Sequence, residues 1–221
     1  MSASHTVVRS FVLVVLAAAI LYAAAAVRSV TVETAGKPTR IQKPVTGKVT
    51  TYSTDTPVET PPPAGYDWRG ADYEPKRISL PTIQSEGFLQ SVGTDQNNQI
   101  AVPGNIHVAG WFVNSVRPGN LGLSIIDGHV NGRVNDGIFK QLGKMEIDDE
   151  FSLELGSGKI LTYKVKSVVS VDVAKANEVL FSQDPKAKSQ LNLITCGGTF
   201  DRTSKQYLQR VIVAAELISE S

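Results

Sequence analysis

Cysteine is the scarcest reactive residue in this chain, with Cys196 the only one in 221 residues. That excludes a disulfide framework, and with it the small secreted folds stapled by bridges. It also excludes zinc sites built on cysteine pairs. No zinc spacing, no phosphate-cradling glycine loop and no GxGxxG occurs either, so no metal or cofactor is expected. Histidine is nearly as scarce. His5, His107 and His129 are the three available imidazoles. Neither sign of charge is in excess, with Lys+Arg 22 against Asp+Glu 21, so the chain carries no footprint for nucleic acid. No internal repeat is present. What is there is a hydrophobic fraction of 42%, enough for a core, and 11 prolines and 18 glycines spread unevenly. That composition favours linkers and many turns over a helical bundle.

The unevenness divides the chain. Phe11 to Val27 is apolar without interruption and is bounded by Arg9 and Arg28, near the lower limit for a bilayer-spanning helix. Residues 1–28 are therefore read as an N-terminal signal anchor. The alternatives are a signal peptide cleaved within Ala23 to Ala26 and a core helix enclosed on all sides. The flanking charges weakly favour the opposite orientation, but a long domain is exported largely regardless of them. The expected location is the cell membrane, crossed once through residues 11–27, with the rest outside. Residues 29–75 are rich in Thr and Pro, include Pro61-Pro62-Pro63, and read as an extended linker. Tyr66, Trp68 and Tyr73 at its end are candidates to pack back on the C-terminal domain.

Residues 76–221 read as a series of short strands. Ile78 to Ile83, Phe88 to Val92, the alternation around Ile106, Val108 and Gly110, and Leu123 to Ile126 are the first of them, with Pro81 suited to an edge. Asp136 to Leu142 is read as one or two helical turns. The clearest hairpin comes next, with Phe151, Leu153 and Leu155 returning through Gly156-Ser157-Gly158 to Leu161, Tyr163 and Val165. Val173 to Val179 is read as a short helix. Leu191 to Cys196 and Leu208 to Ala214 are the last strands. This pattern predicts an all-β barrel or sandwich.

An unpaired thiol outside the cell is either reactive or intermolecular, whereas a lone cysteine in general is a small core residue. Cys196 ends an apolar strand and precedes Gly197-Gly198, a strand-end position open to a ligand. A thiol nucleophile needs a base and, for amide cleavage, stabilisation of the oxyanion. His129 comes after Leu123 to Ile126 and so also lies at a strand end, which favours it over His107, placed within an alternating pattern. His5 precedes the span. Arg210 shares a strand face with Leu208 and Ile212, where it needs an anionic partner. That partner is either the substrate or an ion pair with Asp201 or Glu216.

The order of histidine, Thr-Cys and a final-strand arginine resembles the sortases, cysteine transpeptidases of Gram-positive-type cell surfaces. Leu193-Ile194-Thr195-Cys196 matches their Leu-x-Thr-Cys motif. Class F sortases are closest, through Pro75-Lys76-Arg77-Ile78, Leu80-Pro81-Thr82-Ile83, Pro118-Gly119-Asn120-Leu121-Gly122, Gly128-His129-Val130, Phe139-Lys140-Gln141-Leu142 and Thr195 to Asp201. Asp148-Asp149-Glu150 departs from a common Gly-Asp turn. The resemblance implies a closed eight-stranded β-barrel with short helices. It implies Cys196 as nucleophile, His129 as general acid/base and Arg210 as the group holding substrate and oxyanion. The implied partners are Leu-Pro-x-Thr-Gly-type sorting signals of surface proteins and an amine acceptor such as a cell-wall precursor. A calcium site known in some sortases has no match here. Papain-like peptidases place cysteine before histidine, the reverse of this order. A hydrolase with the same site, or a surface-binding β-domain with an inert thiol, are the competing readings.

Overall fold

The computed structural model describes residues 49–54 and 56–221. The apolar span and residues 29–48 of the predicted linker lie outside them. Among the described residues, nine strands and one α-helix run in the order β1 (Val49–Thr50), β2 (Pro75–Leu80), β3 (Ser85–Val92), β4 (Ala109–Phe112), β5 (Gly122–Asp127), β6 (Glu150–Leu155), β7 (Ile160–Asp172), α1 (Val173–Leu180), β8 (Ser189–Asp201) and β9 (Gln206–Glu220). The hydrogen-bonded order is β3-β2-β6-β7-β9-β8-β5-β4, and a parallel β3–β4 pairing closes the ring at eight strands. Closure removes the free edges that an open sheet would expose. The small strand β1 joins from outside, pairing with Ser91 and Val92 of β3.

Alternation sorts the side chains of each strand. In β8, Leu191, Leu193 and Thr195 point into the barrel, where Leu191 and Leu193 join Ile78, Trp111, Phe139, Leu153, Tyr163 and Val213 in the main core. Ile194 belongs instead to a second apolar cluster on the outer face, with Phe112, Ile125, Leu180 and Ile212. Helix α1 contributes Leu180 to that cluster, with Ala176 buried four residues earlier on the same stripe. The connection after α1 is stapled to β8 by two buried amides. Asn192 Nδ2 donates to Leu180 O at 2.7 Å, and Gln190 Nε2 donates to Ser182 O at 3.0 Å and to Asn192 Oδ1 at 2.9 Å. The outer face of β8 and β9 therefore becomes the floor of a groove walled by α1.

Several local expectations are corrected. Pro81 is not within a strand; it opens a 3₁₀ turn over Pro81–Ile83, because its missing N–H suits a first turn. His107 precedes β4 rather than lying in a strand. Asp136 to Leu142 is not a helix. Asp136 bridges Asn131 and a 3₁₀ turn forms only at Leu142–Lys144. Gly197-Gly198 does not end its strand. Strand β8 runs on to Asp201 across a register shift, with Gly198 at φ +71°. Residues 56–74 of the predicted linker pack on the barrel. Trp68 Nε1 donates to Leu89 O at 2.9 Å, Tyr66 stacks at 4.7 Å from Phe88, and Val58 bridges Asn105. Thr/Pro composition is compatible with a strap that borrows its apolar partners from an existing core.

Candidate active site

Strands β8 and β9 put the nucleophile candidate and the arginine side by side. Cys196 and Arg210 are direct register partners, and Ile194 lies opposite Ile212 two residues away. Cross-strand partners share a face and lie about 5 Å apart. Strand β5 runs parallel to β8 with Asp127 opposite Ile194. Two residues beyond Asp127, just past the last paired residue of β5, the chain reaches His129, near Thr195 and Cys196 of β8. One hydrogen bond fixes that relationship, because buried Thr195 donates its Oγ1–H to Gly128 O at 2.7 Å. The residue before the thiol thus holds the residue before the imidazole. Cys196 and Arg210 thus share one sheet face, and His129 follows the strand beside them; no hydrogen bond joins its ring to the Cys196 sulfur, and its Nε2 is given to Pro103 O.

The loop after His129 is built to hold it. Phe139 N donates to His129 O at 3.0 Å and Gly137 N donates to Val130 O at 3.1 Å. Gly137 passes so near that a Cβ there would collide with His129 O. Tyr207 Oη donates to Asn131 Oδ1 at 2.7 Å. Farther out, the Glu59 carboxylate accepts from the backbone N–H groups of Arg133, Val134 and Asn135. These bonds, that from Arg133 foremost, hold its carboxyl below the usual carboxylate range. The strap is therefore a support of the His129 loop. His107 serves the same strap, with Nε2 bonded to Glu59 O at 3.0 Å. Sequence reasoning missed Glu59, because a lone acid in Thr/Pro-rich chain carries no periodic signal.

His129 Nε2 meets Pro103 O at 2.8 Å. A carbonyl can only accept, so Nε2 carries the proton and Nδ1 is the basic nitrogen of the neutral ring. Burial lowers the imidazole pKa, and the bond to Pro103 partly opposes that. Burial pushes the Cys196 thiol upward; Arg210 pulls it back and Asp127 adds to the rise. Both shifts favour the uncharged forms, so the resting pair at neutral pH is thiol and imidazole rather than thiolate and imidazolium. Arg210 Nη1 donates to Tyr207 O and Gln209 O at 3.1 and 2.9 Å. These bonds brace the guanidinium and leave Nε and Nη2 without a hydrogen-bond partner among the described residues. Neither anticipated ion-pair partner takes it. Asp201 accepts from Thr203 and Ser204 in its own turn, and Glu216 lies 3.7 Å from Lys166. Among the described residues no group of three His, Cys, Asp or Glu side chains is placed to hold a metal ion.

The comparisons with known proteins bear on the fold and the family. No curated protein matches the chain. Among solved structures the chain is similar to sortase A from Corynebacterium diphtheriae, at 23% identity and a TM-score of 0.50, covering 68% of this chain and 63% of that one. A lid mutant of the same enzyme matches at 23% identity and a TM-score of 0.52, covering 68% and 73%. Sortase C-1 from Actinomyces oris matches at 22% identity and a TM-score of 0.49, covering 67% and 76%. The chain thus spans less than two thirds of the first of these, and the two likenesses to the Corynebacterium enzyme, at such identity, speak for the fold. The sequence profile of the sortase domain matches residues 78–218, well over half of the chain and all of the barrel strands from β3 to β8. This chain belongs to the sortase family.

Proposed function

We propose that the protein is a cysteine transpeptidase that cleaves a Leu-Pro-x-Thr-Gly-type sorting signal and transfers the acyl part to an amine. The observation that carries this reading is the shared sheet face of Cys196 and Arg210, with the segment that leads to His129 tied beside them by the Thr195–Gly128 bond. In the first step the sulfur of Cys196 adds to the scissile carbonyl while its proton passes to His129. Nε and Nη2 of Arg210 are the free donors for the oxyanion. Collapse breaks the C–N bond, and His129 returns the proton to the leaving amine. The thioester is then attacked by an amine, His129 takes the amine's proton, and the thiol is regenerated. A neutral resting pair suits this sequence. The thiolate is rare, but when formed it is the stronger nucleophile for its higher pKa.

The class F assignment rests on the motifs from Pro75 to Asp201. A single-pass anchor at residues 11–27 and an extracellular barrel complete the proposal, with surface-protein signals and a cell-wall amine as partners. The test is mass spectrometry of the protein incubated with a sorting-signal peptide and an amine. Expected are a thioacyl adduct at Cys196 and an exchanged peptide product. Cleavage with water alone as acceptor would replace transfer by hydrolysis. Absence of any adduct across a panel of signal peptides would overturn the reading.

A further inference from the structure

The groove floor carries one polar group that the transfer reaction does not use. Asp127 is the last residue of β5, opposite Ile194 on β8 and Gly110 on β4. Because it pairs with Ile194, it shares the outer face with Ile194, Cys196, Arg210 and Ile212. Ile125, two residues earlier, is part of the apolar cluster there. Asp127 is thus a carboxyl on an otherwise aliphatic floor, one diagonal step from the nucleophile.

Its environment is unusual. The residue is half-buried, yet Oδ1 is enclosed and has no hydrogen-bond partner. A sealed acceptor without a donor costs about 1–3 kcal/mol, so such groups are rare unless function retains them. The neighbouring elements supply no strong donor. Gly110 on β4 has no side chain, and its Cβ position is crowded by Val92 and Pro103. Ile194 on β8 is apolar. Arg210 on β9 gives its hydrogen bonds to backbone carbonyls, although its charge reaches Asp127. His129, past the strand end, bonds to Pro103 O. Cys196 is the remaining polar neighbour, and its thiol is only a weak donor. Burial pushes the carboxyl up to about 8, with Arg210 opposing. At neutral pH the group is therefore largely protonated, and a cation or strong donor arriving beside it would favour the anion.

We propose that Asp127 is a specificity-determining residue, whose carboxyl accepts a hydrogen bond from an N–H or O–H donor of the substrate bound beside Cys196. The inference rests on the transpeptidase reading and refines its substrate class. An apolar floor at this place rewards aliphatic side chains alone, whereas Asp127 rewards a residue carrying a donor, a cationic one most. Two sources offer that chemistry: the side chain of the acyl-donor peptide, and the incoming amine.

The experiment measures kcat and KM for wild type, Asp127→Ala and Asp127→Asn on two series. One series varies each peptide position before the scissile bond between donor-bearing and isosteric apolar residues, with one amine. The other varies the amine with one peptide. The expected result for wild type is a donor preference of at least about tenfold in kcat/KM, the value of one hydrogen bond to a charged or acidic group. Asp127→Ala removes that preference chiefly through KM. Asp127→Asn keeps it for neutral donors, since its amide oxygen still accepts, and loses it for cations. An effect confined to the peptide series assigns the donor to the acyl side, and one confined to the amine series assigns it to the acceptor. Equal selectivity in all three proteins would overturn the inference, as would a uniform fall in kcat on every substrate, which marks a merely structural residue. Wild type inactive on every peptide would instead sink the transpeptidase reading, and this inference with it.

Discussion

At the scale of single residues, burial and charge oppose one another on one thiol. Burial raises the Cys196 pKa, Arg210 lowers it and Asp127 raises it further. Alkylation of Cys196 by a small neutral reagent should therefore inflect above the ordinary thiol range of about 8.5. Arg210→Ala should move that inflection higher and Asp127→Asn should move it lower, both readable as rate against pH. Cys196→Ala should abolish thioacyl formation and leave the unfolding midpoint near wild type, because a partly exposed thiol contributes little packing. Arg210→Lys should lose at least about tenfold in kcat, since a point charge does not reproduce the planar donor set. His129→Ala should remove turnover. His107→Ala should retain turnover and lose about 1 kcal/mol of stability in denaturant titration, the worth of its bond to Glu59 O.

At the scale of elements, alternation along β8 divides two roles between two neighbours. Thr195 and Cys196 are neighbours that face opposite sides of β8. One ties the His129 loop from inside the barrel, and the other lies on the outer face. Thr195→Val keeps the shape but leaves Gly128 O without its donor. It should cost about 1–3 kcal/mol and lower kcat more than it raises KM, because the imidazole loses its register with the sulfur. The Glu59 strap acts on the same loop from the far side. Glu59→Gln should leave the barrel's thermal midpoint almost unchanged, as the carboxylate is exposed, while raising amide exchange at residues 133–135. A depressed carboxylate contributes its stability above its unfolded pKa and loses it as pH falls through the folded one. Protection of those amides should therefore fade on acidification.

At the scale of the whole molecule, Asp127 makes global stability depend on pH in the opposite sense. Its folded pKa of about 8 exceeds an unfolded value of about 3.9. Between those values the folded state binds more protons, so its contribution is full below about pH 4 and declines as pH rises toward about 8. Asp127→Asn should flatten that part of the curve of unfolding free energy against pH. The strap sets the working boundary of the barrel. The Trp68 ring fits where Gly70 and Gly156 offer no Cβ, and a side chain at either glycine would collide with it. A protein starting at residue 76 should melt roughly 5 °C below one starting at residue 49, since losing a partly buried tryptophan costs about 2 kcal/mol.

Much of this was legible in the order of residues. Alternation in Phe151 to Leu155 and Leu161 to Val165 specifies its own hairpin, because period two has only one way to bury one face. The single cysteine and the few histidines narrowed the candidates, and the resemblance to sortases singled out Cys196, His129 and Arg210 before any fold was known. The strap and the Asp127 floor were not legible. Thr/Pro-rich chain has no core of its own, and whether it packs depends on surfaces supplied by Leu89, Phe88 and Asn105. Asp127 looks like a turn residue before Gly128, and only parallel pairing with β8 extends the strand through it and turns its carboxyl to the face of Cys196. Local periodicity determined which residues alternate and which groups can react. The parallel β5–β8 pairing decided which of them meet, since it joins residues too far apart along the chain for any local pattern to encode.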